Sequence, residues 1–110
     1  MLDNSIILKL ESLCARSEEI KVDLSAEGAT DNMAKFTQLN KEFSEITPVV
    51  NLFKSLKDFE EELSGAKELL DSGDSELIEL AKSDISISEG KIAQLEKDLK
   101  FMLLPKDDAD

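Results

Sequence analysis

Eight residues near the end of the chain recur at alternating intervals of three and four. They are Ile78, Ala81, Ile85, Ser88, Ile92, Leu95, Leu99 and Met102. This spacing places them along one side of a helix, and it is typical of a helix that packs lengthwise against another helix. The pattern ends where Pro105 and a short acidic tail follow. The sequence therefore predicts a helix of about 40 Å, at roughly 1.5 Å per residue, that needs a partner helix.

The first helix is predicted from Ser5 to Ser25, because apolar residues recur along one side of this segment. Three polar residues compete for its N-cap: Asp3, Asn4 and Ser5. The small polar residues after the helix predict a turn. In that turn Gly28 suits a left-handed helix end, and Thr30 or Asp31 suits the N-cap of the next helix.

The second helix has the longest apolar pattern of the chain, and one proline lies inside it. A proline such as Pro48 removes a hydrogen bond and costs about 3 kcal/mol in a helix interior. The apolar residues nevertheless keep their phase across it, which favours a single kinked helix. The competing interpretation makes Thr47 the N-cap and Pro48 the first residue of a separate helix.

These patterns together predict an all-α fold. We expect an elongated three-helix arrangement, in which helices 2 and 3 form a long antiparallel coiled-coil-like hairpin about a turn at residues 71–75. Residues 1–104 would form the helical domain, and residues 105–110 a linker to domains that this sequence does not contain. If the hairpin is paired symmetrically about its turn, Gly65 and Gly90 would each lie where the two backbones approach closely.

The charge of the chain limits the partners that it can bind. It holds 13 Lys and Arg against 25 Asp and Glu, a net charge of −12. The basic residues are spread along the sequence, so we expect no binding of free nucleic acid. His is absent and Cys14 is the single cysteine, and no nucleophile, metal or phosphate-loop motif is present. We therefore expect no enzyme activity, no cofactor and no metal, and also no signal peptide and no membrane span.

Three parts of the sequence carry a family resemblance. They are residues 7–13, the block of Phe36, Leu39, Glu42 and Phe43, and the ending made of Gln94–Glu96 and Leu103–Asp107. Together they resemble the N-terminal helical domain of bacterial class-I peptide chain release factors, and Leu-Leu-Pro-Lys-Asp is similar to the type that reads UAA and UAG. In that family two further regions follow, one that reads the stop codon and one whose Gly-Gly-Gln triggers peptidyl-tRNA hydrolysis. This sequence contains neither.

The resemblance implies a role in translation termination at UAA and UAG in the bacterial cytoplasm. It also implies that the domain is an accessory arm that contacts the ribosome at the stalk base of the large subunit. We expect the partner contact at the hairpin tip, with the candidate residues Asp71, Ser72, Asp74 and Glu76, and the turn at Gly28 is the alternative contact. The junction with further domains is expected at Leu104, Pro105, Lys106 and Asp107.

Without the resemblance, the same helical patterns fit an acidic coiled-coil scaffold or a self-associating adaptor unrelated to translation. An apolar stripe left over on the helices predicts weak self-association of the isolated domain. The residues expected in that stripe are Leu52, Leu77, Ile87 and Phe101.

Overall fold

Three long helices make up the protein in a computed structural model that describes residues 2–104. Helix α1 is Asn4–Ser25, α2 is Met33–Leu69 and α3 is Ser75–Met102, and a short 3-10 helix is Ala29–Asp31. No strand occurs within residues 2–104. The predicted all-α class with three helices is confirmed, and α2 and α3 pack closely as a hairpin. The predicted linker at residues 105–110 lies outside the described residues.

The start of α1 is set by Asp3, one of the three predicted N-caps. Its side chain accepts a hydrogen bond of 3.0 Å from the backbone N–H of Ile6, and it also accepts one of 2.8 Å from the hydroxyl of Ser5. These bonds satisfy a donor that the helix itself leaves unpaired. The helix consequently begins at Asn4, one residue earlier than predicted.

The turn between α1 and α2 is built differently from the prediction. Gly28 has the expected left-handed conformation, with φ of 79°. The N-cap of α2, however, is neither Thr30 nor Asp31, because both belong to the 3-10 helix. Asn32 takes this role: its side-chain oxygen accepts a bond of 3.1 Å from the N–H of Lys35.

Helix α2 continues through Pro48 without interruption. The predicted continuity of the helix across Pro48 is confirmed, and the interpretation with a separate second helix is wrong, whereas the kink at Pro48 stays a prediction. Thr47 does not cap a new helix. Its hydroxyl donates instead to the carbonyl oxygen of Phe43, one turn earlier, at 2.5 Å.

The chain divides into two compact units between Asn51 and Leu52. The first unit contains α1, the 3-10 helix and the first half of α2, and its most buried apolar residues are Leu10 and Ile20. The hairpin unit contains the second half of α2 and all of α3. The most buried residues in this hairpin are Phe53, Leu56, Ala66, Ala81, Ser88 and Leu99. Ala81, Ser88 and Leu99 are members of the seam predicted for α3, which is confirmed at these positions, whereas its last member, Met102, is 38 % exposed.

Neither glycine in the hairpin marks a close approach of the two backbones. A methyl group added at Gly65 or at Gly90 would meet no atom within 4 Å. The predicted close approach at these two levels is therefore wrong. Small residues on the inward side of α3, namely Ala81 and Ser88, occupy buried positions instead.

Candidate partner-contact site

The hairpin tip begins where α2 winds into a tighter turn. The N–H groups of Leu70, Asp71 and Ser72 donate to carbonyl oxygens three residues earlier, at 3.1–3.2 Å. This spacing closes the last turn of the helix as a 3-10 turn does. Gly73 then adopts a left-handed conformation with φ of 79°, which allows the chain to reverse.

Asp74 is the N-cap of α3. Its side chain accepts hydrogen bonds from the N–H groups of Glu76 at 2.9 Å and Leu77 at 3.3 Å, and its own N–H donates to the hydroxyl of Ser72 at 3.2 Å. The carboxylate of Asp74 is thus engaged in the fold, and the remaining tip acids are the groups available to a partner.

The tip carries a concentrated negative charge. Residues 68–80, the tip segment, contain five acidic residues and no basic residue. The acidic residues are Glu68, Asp71, Asp74, Glu76 and Glu79, and all five are exposed. Glu79 lies 3.6 Å from the ammonium group of Lys82, a pair in which both side chains are largely exposed. A surface of this kind repels phosphate groups and attracts cationic ones.

Four leucines are exposed within this acidic segment. The tip leucines are Leu69 at 41 %, Leu70 at 37 %, Leu77 at 38 % and Leu80 at 65 % exposure. Single exposed leucines are ordinary on protein surfaces, whereas these four all lie in the short segment around one turn. The predicted site contained the acidic residues and missed these leucines.

Two open depressions lie on the hairpin near the tip leucines. One, of about 450 Å³, is lined by Ser75, Glu76, Glu79 and Leu80. The other, of about 500 Å³, is lined by Asp58, Glu61, Glu62, Gly65, Ala66, Leu69 and Asp84. Each depression contains one tip leucine, and acidic side chains supply most of the polar part of its lining.

The predicted interdomain junction can be placed only in part. Leu104 is 61 % exposed, and Phe101, one turn before it, is 76 % exposed. Pro105, Lys106 and Asp107 lie outside the described residues. Exposed apolar side chains near the end of α3 suit a surface that another part of a larger protein covers. The junction itself stays a prediction.

A second charged feature lies in the first unit, between α1 and α2. The guanidinium group of Arg16 donates two hydrogen bonds to the carboxylate of Glu42, at 2.6 and 2.8 Å, and a further one to Glu19. The hydrogen bonds with Glu42 raise the pKa of Arg16 above its usual value, and those same bonds lower the pKa of Glu42. Both side chains are about one third exposed, at 36 % and 33 %. This ion pair links α1 to α2 and resembles no catalytic arrangement.

Within residues 2–104, no group of three or more His, Cys, Asp or Glu side chains is arranged to hold a metal ion. No helix in that range is long and apolar enough to cross a membrane.

The comparison with protein families gives a match that spans most of the chain. The model of the PCRF domain matches residues 13–110. The chain therefore belongs to the PCRF domain family. This match supports a class-I release factor with a role in translation termination, and such a role implies the ribosome as the general partner. No solved structure matches the chain significantly.

Proposed function

We propose that this chain is the accessory arm of a release factor of the type that reads UAA and UAG, acting in the bacterial cytoplasm. The family match supports release-factor function, and the string Leu103–Asp107 favours this type by its resemblance. The sequence contains no Gly-Gly-Gln, so peptide release would depend on other regions of the parent protein. The chain itself would catalyse no reaction.

A direct test of the stop-codon preference uses the parent polypeptide that carries this segment. In a reconstituted termination assay, it should release peptide from ribosomes stalled at UAA and UAG and leave those at UGA intact. Release at UGA in place of UAG would overturn the assignment to this type while leaving the release-factor role in place.

We further propose that the arm docks through its hairpin tip on the stalk base of the large ribosomal subunit. The observation that carries this proposal is the combination of exposed acidic residues and exposed leucines at the end of a hairpin. A helical hairpin is a rigid support, because each helix is held along its length by the other. Such a support holds its tip at a fixed distance from the other end of the hairpin.

The docking proposal can be tested with the 110-residue chain and purified large subunits. The chain should cosediment with intact large subunits and lose most of this binding when the stalk-base proteins have been stripped from them. Readdition of those proteins should restore binding. Equal binding to stripped and intact subunits would place the contact elsewhere on the ribosome.

Weak self-association of the isolated domain is a third proposal, supported by exposed apolar residues on α3. Ile87 is 57 % exposed and Phe101 is 76 % exposed, whereas Leu52 of the expected stripe is half-buried. A net charge of −12 on each copy opposes association. Sedimentation equilibrium should therefore show a monomer at low salt and a rising average mass at high protein and salt concentration. A single monomeric mass under all these conditions would contradict the proposal.

A further inference from the structure

We infer that two copies of this chain pair through the outward side of α3, with their α3 helices antiparallel and the midpoint of the pair beside Gly90. This inference rests on the proposed self-association, and it specifies which surface carries that association and how the second copy is oriented. The surface is a row of exposed side chains that the packing of the hairpin leaves uncovered.

This surface, the outer row of α3, consists of residues spaced seven apart. Its members are Leu80, Ile87, Gln94 and Phe101, and all four are exposed. The three apolar members are 65 %, 57 % and 76 % exposed, so packing against α2 leaves most of each side chain in water. Side chains seven residues apart lie on one side of a helix, and a repeat of this kind is typical of a helix that packs against another helix. The outer row therefore suits a helix as its partner.

The charges of α3 favour one direction for the partner helix. Residues 76–89 contain four acidic residues and one lysine, whereas residues 91–102 contain three lysines and two acidic residues. A parallel copy would place the two acidic halves side by side. An antiparallel copy places the acidic half of each helix beside the basic half of the other, and complementary charges of this kind set the orientation of paired helices. A second, antiparallel copy of α3 therefore complements the first in charge.

The spacing of the outer row places the midpoint of the pair beside Gly90. With the midpoint there, Leu80 lies opposite Phe101 of the second copy, and Ile87 lies opposite Gln94 of the second copy. Gly90 is exposed, and a methyl group added to it would meet no atom within 4 Å. The packing of the hairpin therefore does not require this glycine, although glycine weakens a helix interior. At the midpoint of a pair, its missing side chain would let a second helix approach closely.

Net charge and contact area make this pairing weak and dependent on salt. The charge of −12 on each copy repels the other copy. At about 0.15 M salt such repulsion is screened beyond roughly 8 Å, while opposite charges in close contact across the pair are screened less. Three apolar side chains on each copy bury far less surface than the roughly 1,600 Å² of a typical stable interface. The pair should therefore form only at high protein concentration and at moderate or high salt.

The first test identifies the surface with two variants of the 110-residue chain. Ile87→Ser with Phe101→Ser removes two members of the outer row that lie 14 residues apart. The matched control, Leu8→Ser with Val22→Ser, removes two apolar side chains of α1 that have the same separation and are 57 % and 68 % exposed. In sedimentation equilibrium, the dissociation constant of the dimer should rise about tenfold or more for the first variant, because burial of apolar side chains is lost on both copies. It should stay unchanged for the control, and circular dichroism verifies that both variants are folded.

The second test determines the orientation by cross-linking. Cys14→Ser supplies a chain without cysteine, and either Lys91→Cys or Ser83→Cys then adds one thiol at an exposed position of α3. In the antiparallel pair the two copies of residue 91 lie close to the midpoint and to each other. The two copies of residue 83 lie about 15 residues apart along the pair, which is roughly 22 Å. A short bifunctional maleimide should therefore cross-link the Lys91→Cys variant into dimers and leave the Ser83→Cys variant monomeric.

Other outcomes separate this inference from the proposal on which it rests. Cross-links in the Ser83→Cys variant would indicate a parallel pair or random collisions. Cross-links in neither variant, in a chain that sedimentation shows to be dimeric, would place the contact elsewhere, as would equal association of the unchanged chain and the variant with Ile87→Ser and Phe101→Ser. Each of these results would overturn the inference and leave self-association standing. A single monomeric mass for the unchanged chain under all conditions would instead overturn the proposed self-association.

Discussion

Both compact units have buried apolar residues, and they differ in the side-chain hydrogen bonds that join their helices. In the first unit, Arg16 on α1 forms a bidentate ion pair with Glu42 on α2, 26 residues away in the sequence. In the hairpin unit, side-chain hydrogen bonds join near neighbours in the sequence, such as Gln94 with Asp98 at 2.8 Å. The α2 and α3 helices are held by buried apolar and small residues such as Leu56, Ala81 and Leu99. We therefore expect packing to stabilise both units and the ion pair to add a contribution that depends on pH in the first unit.

The largest effect is expected from a cavity in the hairpin. Leu99→Ala removes a side chain that is 0 % exposed, and substitutions of this kind cost roughly 2–5 kcal/mol of unfolding free energy. Leu80→Ala is the matched control on the same helix, because Leu80 is 65 % exposed and its truncation should change stability by no more than about 0.5 kcal/mol. Urea denaturation followed by circular dichroism measures both. Similar losses for the two variants would show that packing does not distinguish these positions.

An intermediate effect, of opposite sign at two positions, is expected from the hairpin glycines. Gly73→Ala forces a side chain into a left-handed conformation, which costs roughly 1–2 kcal/mol. Gly65→Ala adds a methyl group in open space within a helix and should stabilise the protein by up to about 1 kcal/mol. The midpoint of thermal unfolding should fall for the first variant and rise for the second. A lower unfolding midpoint for Gly65→Ala would indicate that the two helices do pack closely at Gly65.

The smallest effect is expected from the ion pair of the first unit, and it should depend on pH. The pKa of Glu42 is lower in the folded protein than in the unfolded chain, because its ionised form accepts hydrogen bonds from Arg16. Its contribution is therefore complete above the usual carboxyl pKa of about 4.3, and it is lost as the pH falls through the lowered value. Glu42→Gln should be less stable than the unchanged chain at pH 7, and the difference should vanish in acid. A difference that is constant with pH would show that the charge of Glu42 contributes nothing.

Much of the fold could be predicted because it follows from local patterns. The seam of α3 places Ala81, Ser88 and Leu99 on the buried side, as its spacing requires. The continuity of α2 through Pro48 followed from the phase of the apolar residues on either side. The cap at Asn32 could not be found in this way, because Thr30, Asp31 and Asn32 are all good capping residues and the intervening 3-10 helix decides among them.

The candidate site was only half predictable. Its acidic residues are visible in the sequence, since turn residues and capping residues are polar. Of the tip leucines only Leu77 was expected to be exposed, as part of the apolar stripe, because a leucine near a helix end has the same spacing whether a neighbour covers it or not. The ion pair between Arg16 and Glu42 was missed for a related reason: it joins residues far apart in the sequence, and only tertiary structure brings them together. The sequence did hold one sign of this ion pair: Arg16 is the one arginine among 13 basic residues, and the others are lysines.

The passage of α2 from one unit to the other has a consequence for how such an arm can evolve. The division at Asn51 and Leu52 falls inside a helix, whereas domains usually join through exposed linkers. Recombination at that point would leave up to four carbonyls and four N–H groups without helical partners on the two new ends. The two units are therefore expected to be inherited together, and changes in length are expected at the turns around Gly28 and Gly73.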